Sequence, residues 1–320
     1  MLSAGCLRQV APQTRVIQCG PVPLTNPFHL FVALFVAVFA GLLACRPVLA
    51  QTAAPAAPAA PAIGVKSASE QLPLWELGVG IAALRLPDYR GAEQAANYAL
   101  PLPYFVYRGQ WLRADREGAR AVLLDTQRFE IDVSLAAAAP ARNNAAREGM
   151  AELPARIEFG PSVNVEFWRD AANHLKLELR APLRAAYALQ RSPRDIGWTF
   201  NPHLNLDVRG ITGAWDVGLQ LGTVFGDRRF HEHLYGVGAA DATAARPAFD
   251  ARGGYAGWLA LAGVSRRFDR TWFGAFLRYD SLRGAVVAAS PLVKTDQNLT
   301  FGVAVSWIFS VSDRLVSVER

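Results

Sequence analysis

From Leu72 onward the sequence alternates apolar and polar residues with a period of two, and no stretch holds a helical period for long. In Arg128 to Leu135, RFEIDVSL, the residues Phe129, Ile131, Val133 and Leu135 alternate with Glu130, Asp132 and Ser134. An extended chain points successive side chains to opposite faces, so this stretch has one apolar face and one that carries carboxylates. The pattern recurs in ARIEFGPSVNVEFW (Ile157, Phe159, Val163, Val165, Phe167), HLKLELRA (Leu175, Leu177, Leu179 against Lys176, Glu178, Arg180) and AWDVGLQLGTVFG (Trp215, Val217, Leu219, Leu221, Phe225). It closes in NLTFGVAVSWIF, with Leu299, Phe301, Val303, Val305, Trp307 and Phe309 on one side. Segmented this way the chain holds about twelve strands, an even number of the kind used by single-chain outer-membrane barrels.

A soluble barrel would turn the apolar faces inward, whereas a membrane barrel turns them to lipid and keeps the polar faces in a wet lumen. Two features decide. Alternate connections are terse, at Arg108, Asp125, Arg169, Arg209 and Arg267, and the others are mostly long: 85–96, 138–153, 190–196, 227–253 and 284–297. Short turns on one rim and long loops on the other is the outer-membrane asymmetry, with the short turns and both termini periplasmic. One connection, near 116–118, is shorter than this rule wants. Aromatic residues also gather beside the short turns, as an interfacial girdle would: Tyr107, Trp111, Phe129, Trp168, Trp215, Phe268, Trp272, Trp307 and Phe309. The expected fold is therefore all-β, a transmembrane antiparallel barrel of the bacterial outer-membrane type over residues 72–309, with Phe129 to Leu135 facing lipid through its odd positions and Glu130 and Asp132 facing the lumen. A symmetric hairpin about Ala171 would set Glu166 opposite Lys176, Asn164 opposite Glu178 and Ser162 opposite Arg180.

The N-terminus fits the same address. FHLFVALFVAVFAGLL, Phe28 to Leu43, is too short for a membrane helix and leads to the small-x-small pattern Val48-Leu49-Ala50, which reads as a signal peptide over residues 1–50. LLAC, Leu42 to Cys45, offers lipidation at Cys45 as the alternative. The Ala/Pro tract that follows has no face to bury and makes residues 51–71 a periplasmic tether. All three cysteines, Cys6, Cys19 and Cys45, precede Ala50, so the mature chain has no thiol and no disulfide. The formal charge of +6 includes Arg8, Arg15 and Arg46 from residues 1–50, which hold no acid, leaving 6 − 3 = +3 and arguing against a nucleic-acid partner. The tail, Ser310 to Arg320, breaks its alternation at Ser312-Asp313-Arg314 and reads as a periplasmic extension with little buried.

No nucleotide-binding or hydrolase motif stands in a strand-turn-helix context. The strongest chemical candidate is DRRFHEHLYG, where alternation would put His231 and His233 on one face, with Glu232, Asp227 or Asp241 as added ligands or as an acid/base partner. Two close ligands in a polar loop make a poor metal site, and Ser290 has no adjacent base. No catalytic, metal or cofactor-binding residue is expected, and a hydrolase using His231 and His233 remains only an alternative.

Leu86 to Leu112, LPDYRGAEQAANYALPLPYFVYRGQWL, resembles the MipA/OmpV family through Pro87, Tyr89 and Gly91, then Pro101, Leu102 and Pro103, then Tyr107, Arg108 and Gly109. Further matches are Tyr235, Gly236 and Val237, and then Leu282, Gly284, Ala285 and Ser290 to Val293. The resemblance implies a non-enzymatic outer-membrane scaffold of the MltA-interacting type, with outer-membrane lipid around it and a lytic transglycosylase and a penicillin-binding protein as partners. A channel for small solutes is the alternative that the charged inner face suggests. Physically, Pro87, Tyr89 and Gly91 read as a folded loop, and Pro101 and Pro103 imply a bulge or an irregular stretch because they remove ladder donors.

Overall fold

The computed structural model describes residues 69–109, 112–115, 118–126, 128–170, 174–211 and 214–319. The signal peptide expected over 1–50, the lipidation alternative at Cys45, nearly all of the tether and Trp111 lie outside the described residues. Along the chain run β1 (Ser69–Pro73), β2 (Trp75–Pro87), β3 (Ala95–Arg108), β4 (Leu112–Asp115), β5 (Gly118–Asp125), β6 (Phe129–Ala138), β7 (Arg156–Asp170) and β8 (Leu175–Ala188). They are followed by β9 (Arg194–Phe200), β10 (His203–Ile211), β11 (Trp215–Gly226), helix α1 (Arg228–Tyr235), β12 (Gly254–Phe268), β13 (Thr271–Ser281), β14 (Gln297–Val311) and β15 (Leu315–Glu319).

Thirteen of these strands form one antiparallel sheet in which each neighbours the next in sequence except β9 and β10, β14 pairs back onto β2, and β8 and β11 both pair with β9 and β10. The neighbours therefore close into a ring. Strands β9 and β10 share a single place in it, split at Asn201-Pro202, so the circumference counts twelve. Pro202 has no N–H to give, and the break is patched by Asn201 Nδ2 donating to the Thr223 carbonyl at 2.6 Å and by Thr223 N–H donating to the Pro202 carbonyl at 3.0 Å.

The faces follow the alternation. On β14 the side chains of Leu299, Phe301, Val303, Val305, Trp307 and Phe309 are exposed, while Asn298, Thr300 and Ser306 are buried. Ile81 is 72% exposed, and Phe129 and Leu135 lie open while Asp132 is 4% exposed. A wall with leucine, phenylalanine and tryptophan outside and aspartate and asparagine inside is the inverse of a soluble core, and it identifies an outer-membrane type of barrel. Among the described residues no helix is long and apolar enough to cross a membrane.

Four details differ from the sequence-based expectations. The β7–β8 register lies two residues from that of a hairpin symmetric about Ala171, with a one-residue bulge between Glu166 and Trp168: Glu166 faces Glu178, Asn164 faces Arg180 and Ser162 faces Pro182. Because the side-chain period is two, that shift leaves every lumen residue in the lumen. Trp272 is not in the girdle; it pairs across the sheet with Arg267 and with the buried Ser306, and its ring meets Tyr104 at 5.9 Å on the inner face. Pro101 and Pro103 make no bulge, since β3 keeps an unbroken register with β2 from Trp75↔Tyr107 to Pro87↔Ala95; the irregularity is on the other edge, where among the described residues only Tyr107 and Arg108 are laddered. The tail, finally, is not a loose end. Its residues Leu315 to Glu319 alternate well enough to pair with β1 in a two-stranded ribbon, fastened by Leu74 N–H to the Arg314 carbonyl at 2.8 Å and by Ser312 N–H to the Trp75 carbonyl at 2.9 Å.

Candidate functional site

Loops from around the long-loop rim meet in one buried cluster: Tyr89 and Ala92 after β2, Ala141 and Leu153 after β6, Phe230, Leu234 and Tyr235 on α1, and Leu282, Ala285 and Val287 after β13. It rests on Ala186, Ala188 and Ile196, from β8 and β9. Since these loops leave strands spaced around the ring, the cluster spans the mouth and caps it.

The family-like motifs are what build this cap. Tyr89 donates its hydroxyl to the Leu292 carbonyl at 2.8 Å, and its ring stands edge-on to Tyr235, with centroids 6.1 Å apart. Tyr235 donates to the Arg90 carbonyl at 3.0 Å, and Ser290 Oγ donates to the Tyr235 carbonyl at 2.7 Å. Gly91 adopts φ +91°, a left-handed conformation that glycine enters without a Cβ penalty. Its N–H donates to Asn298 Oδ1 at 2.6 Å, and Asn298 returns a bond to the Ala92 carbonyl at 2.8 Å. Arg90 then reaches down into the wall, pairing with the buried Asp280 at 2.8 Å and donating to the Ala256 carbonyl at 2.9 Å. Motifs widely separated in sequence thus share one hydrogen-bonded core.

His231 and His233 do not share a face. They lie on α1, where two residues turn the side chain by about 200°, and the strand-like alternation expected of them is replaced by a helix seeded by Asp227, whose carboxylate accepts from Phe230 N–H at 2.8 Å. His231 is fully buried, with Nδ1 2.6 Å from the Arg252 carbonyl. His233 Nδ1 lies 3.2 Å from Arg194 Nη2. Glu232 is engaged by Ala251 N–H at 2.8 Å. Among the described residues no three His, Cys, Asp or Glu side chains gather to hold a metal ion. Burial pushes the Tyr89 hydroxyl up to about 12 and raises Tyr235 as well. Burial first, and then Arg194, Arg156 and Arg147, holds His233 down to about 4, and burial also lowers His231. Both imidazoles are neutral at pH 7 and serve as packing and hydrogen-bonding groups. Arg147 is buried as well, its Nη1 donating to the Leu234 carbonyl near the end of α1 at 3.0 Å.

Below the cap the inner wall has two different sectors. From β6 to β10 it is polar: Asp132 accepts from Asn164 at 2.9 Å, Glu158 accepts from Thr199 at 2.9 Å and pairs with Arg156 at 3.0 Å, and Glu178 pairs with both Lys176 and Arg180. From β12 round to β3 its middle is apolar, with Leu84, Leu100, Leu102, Trp272, Phe276 and Ile308 turned inward, and the Arg278–Asp280 pair, Asn298 and Thr300 lie toward the long-loop rim. At the short-turn rim the fully buried Glu76 joins three strands, pairing with Arg108 at 2.7 Å and Arg267 at 2.5 Å. The polar sector was legible from the alternation. The apolar sector was not, because on β3 both faces are largely apolar and periodicity cannot tell inside from outside.

The family model described as MltA-interacting protein MipA matches residues 79–309. No curated protein matches the chain significantly. A solved structure titled a bacterial polysaccharide outer membrane secretin aligns with 10% identity and a TM-score of 0.34, over 73% of this chain and 99% of that one, too distant a likeness to bear on fold or function.

Proposed function

This chain belongs to the MipA family, and on that footing we propose that it is a non-enzymatic scaffold of the outer membrane, holding a lytic transglycosylase together with a penicillin-binding protein at the cell wall. The observation that carries the proposal is the match over residues 79–309 to a family described by its interaction with MltA. The architecture agrees with an adaptor. Motif side chains that could have done chemistry, Tyr89, His231, Tyr235 and Ser290, are engaged in holding the cap. In this reading residues 1–50 direct export, 51–71 form a tether, and the short-turn rim faces the periplasm with both termini. The β1–β15 ribbon then stands on the side where cell-wall enzymes work.

Crosslinking in intact cells, followed by identification of what is captured, tests this. Recovery of a lytic transglycosylase and a penicillin-binding protein is expected. Their absence from crosslinks of a correctly assembled barrel would overturn the scaffold role. A second reading, a channel for small solutes, is favoured by the charged sector of Glu158, Glu178, Arg156 and Arg180. Reproducible conductance of the purified barrel in planar bilayers would support it, and a silent bilayer would leave the scaffold alone.

A further inference from the structure

Among the described residues the ladder between β3 and β6 is incomplete. Along one edge β3 is laddered to β2 throughout, but along the other, among the described residues, only Tyr107 and Arg108 find partners, in β4. From the opposite side β5 pairs with β6 only between Ala121↔Val133 and Asp125↔Glu130, so Ser134 to Ala138 are laddered to β7 alone. The β4–β5 hairpin therefore fills the wall near the short-turn rim, and toward the long-loop rim two strand edges face each other without a ladder. Pro101 and Pro103 lie on this stretch of β3. A proline has no N–H, and strands tolerate it where no ladder bond is required, which also blunts the edge against adventitious pairing.

Behind the gap lies the apolar sector. Leu100, Leu102 and Tyr104 of β3 turn inward and are only half-buried, Tyr104 with its ring on Trp272 and the two leucines toward the interior space. Phe276 lies flat across the same wall over Gly302, where a Cβ would come within 2.6 Å of its ring. On the β6 side the first unladdered residue is Ser134, whose Oγ accepts two bonds from Arg184, from Nη2 at 2.6 Å and Nε at 3.1 Å. Arg184 forms no ion pair with any described residue. Glu158 and Asp132 lie within electrostatic reach of it, but its hydrogen bonds go to a hydroxyl, so the fork can still turn toward an acid group.

We propose that the gap admits a fatty acid from the surrounding membrane, its acyl chain lying on Leu100, Leu102, Tyr104 and Phe276 and its carboxylate on Arg184 and Ser134. An acyl chain gains little by leaving lipid for an equally apolar wall. Selectivity therefore rests on the charge-assisted bonds to Arg184, which are strong where water is scarce. This inference rests on the membrane-barrel reading, and the test separates the two.

The protein would be reconstituted into phospholipid vesicles containing a trace of a palmitate analogue with a photoactivatable diazirine in its chain, irradiated, and mapped by peptide mass spectrometry. Labels are expected on inward Leu100, Leu102 and Tyr104 as well as on lipid-facing Val79, Ile81 and Val303. Excess unlabelled palmitate should remove the inward labels and spare the outward ones. Arg184→Gln should lose the inward labels and Arg184→Lys should keep them; if the glutamine variant fails to assemble, the competition on the wild-type protein decides. Labels confined to the outward residues, or inward labels that excess palmitate does not remove, would overturn the proposal. Absence of label from the outward residues would instead overturn the membrane placement itself.

Discussion

Leu282→Ala isolates the cap from the barrel. Leu282 is fully buried in the cluster, and its Cδ2 is so close to Gly91 that a Cβ there would lie 3.0 Å away. Removing three carbons at about 0.8 kcal/mol each forfeits roughly 2.5 kcal/mol of transfer energy, and the cavity left behind puts the total at about 2 to 5 kcal/mol. The ring of strands does not depend on this side chain, so the cost falls on local opening of the cap. Opening should increase by roughly 30-fold to a few thousandfold, at about 1.4 kcal/mol per factor of ten. Hydrogen exchange of peptides over 88–94, 227–237 and 282–296 reads that directly, because the amides of Ala92, His231 and Ala285 are all hydrogen-bonded within the cap. Heat-modifiable gel migration reports the barrel in parallel. If cap exchange is unchanged, or if the barrel is lost along with it, the picture of a separate cooperative cap on a self-sufficient ring is wrong.

Val133→Arg places a cation on the lipid side of β6 and should cost about 2 to 4 kcal/mol near mid-bilayer, seen as a loss of heat-modifiable barrel, whereas Asp132→Asn, which keeps an acceptor for Asn164, should assemble; equal behaviour would refute the face assignment. An arginine at position 132 is no suitable control, since Asp132 is buried in the inner network and a larger cation would not fit. Cysteines placed at 166 and 178 should crosslink readily and cysteines at 166 and 176 should not, and the opposite result would restore the hairpin symmetric about Ala171. Acidification should loosen the cap: His233 titrates near 4 when folded against 6.5 when free, so between those values the open form binds more protons and stability falls as pH falls. Proteolysis of the 227–253 loop should accelerate from pH 7 toward pH 4.5, and His233→Gln should reduce that dependence; protection that is constant or rises on acidification would contradict it.

The family-like motifs could be seen in the sequence as motifs but not as one object. Tyr89, Tyr235 and Ser290 are polar residues in separate loops when read along the chain, and only folding shows that each satisfies a carbonyl in another loop. Helix α1 did leave a local signal, an Asp227 cap followed by Phe230 and Leu234 four residues apart, but it is short and lies in a long polar loop. The tail's Leu315-Val316-Ser317-Val318 likewise looks like a strand only once β1 is beside it.

What the sequence determined by itself is whatever depends on neighbours along the chain. Alternation set the strands and put Phe129, Leu135 and Leu299 on one face and Asp132, Asn164 and Glu178 on the other. Alternating connection lengths distinguished the two rims. These survive errors of register, because a slip of two residues, as at Glu166, changes partners without changing faces. Only the tertiary structure decided which strands run the full height of the wall, that Trp272 turns inward to Tyr104, and that Arg184 meets Ser134 beside an unladdered edge. Each of those is a matter of which distant residue arrives at a given height in the ring, and it is set by bulges, strand lengths and closure acting together, none of which has a period that can be read along the chain.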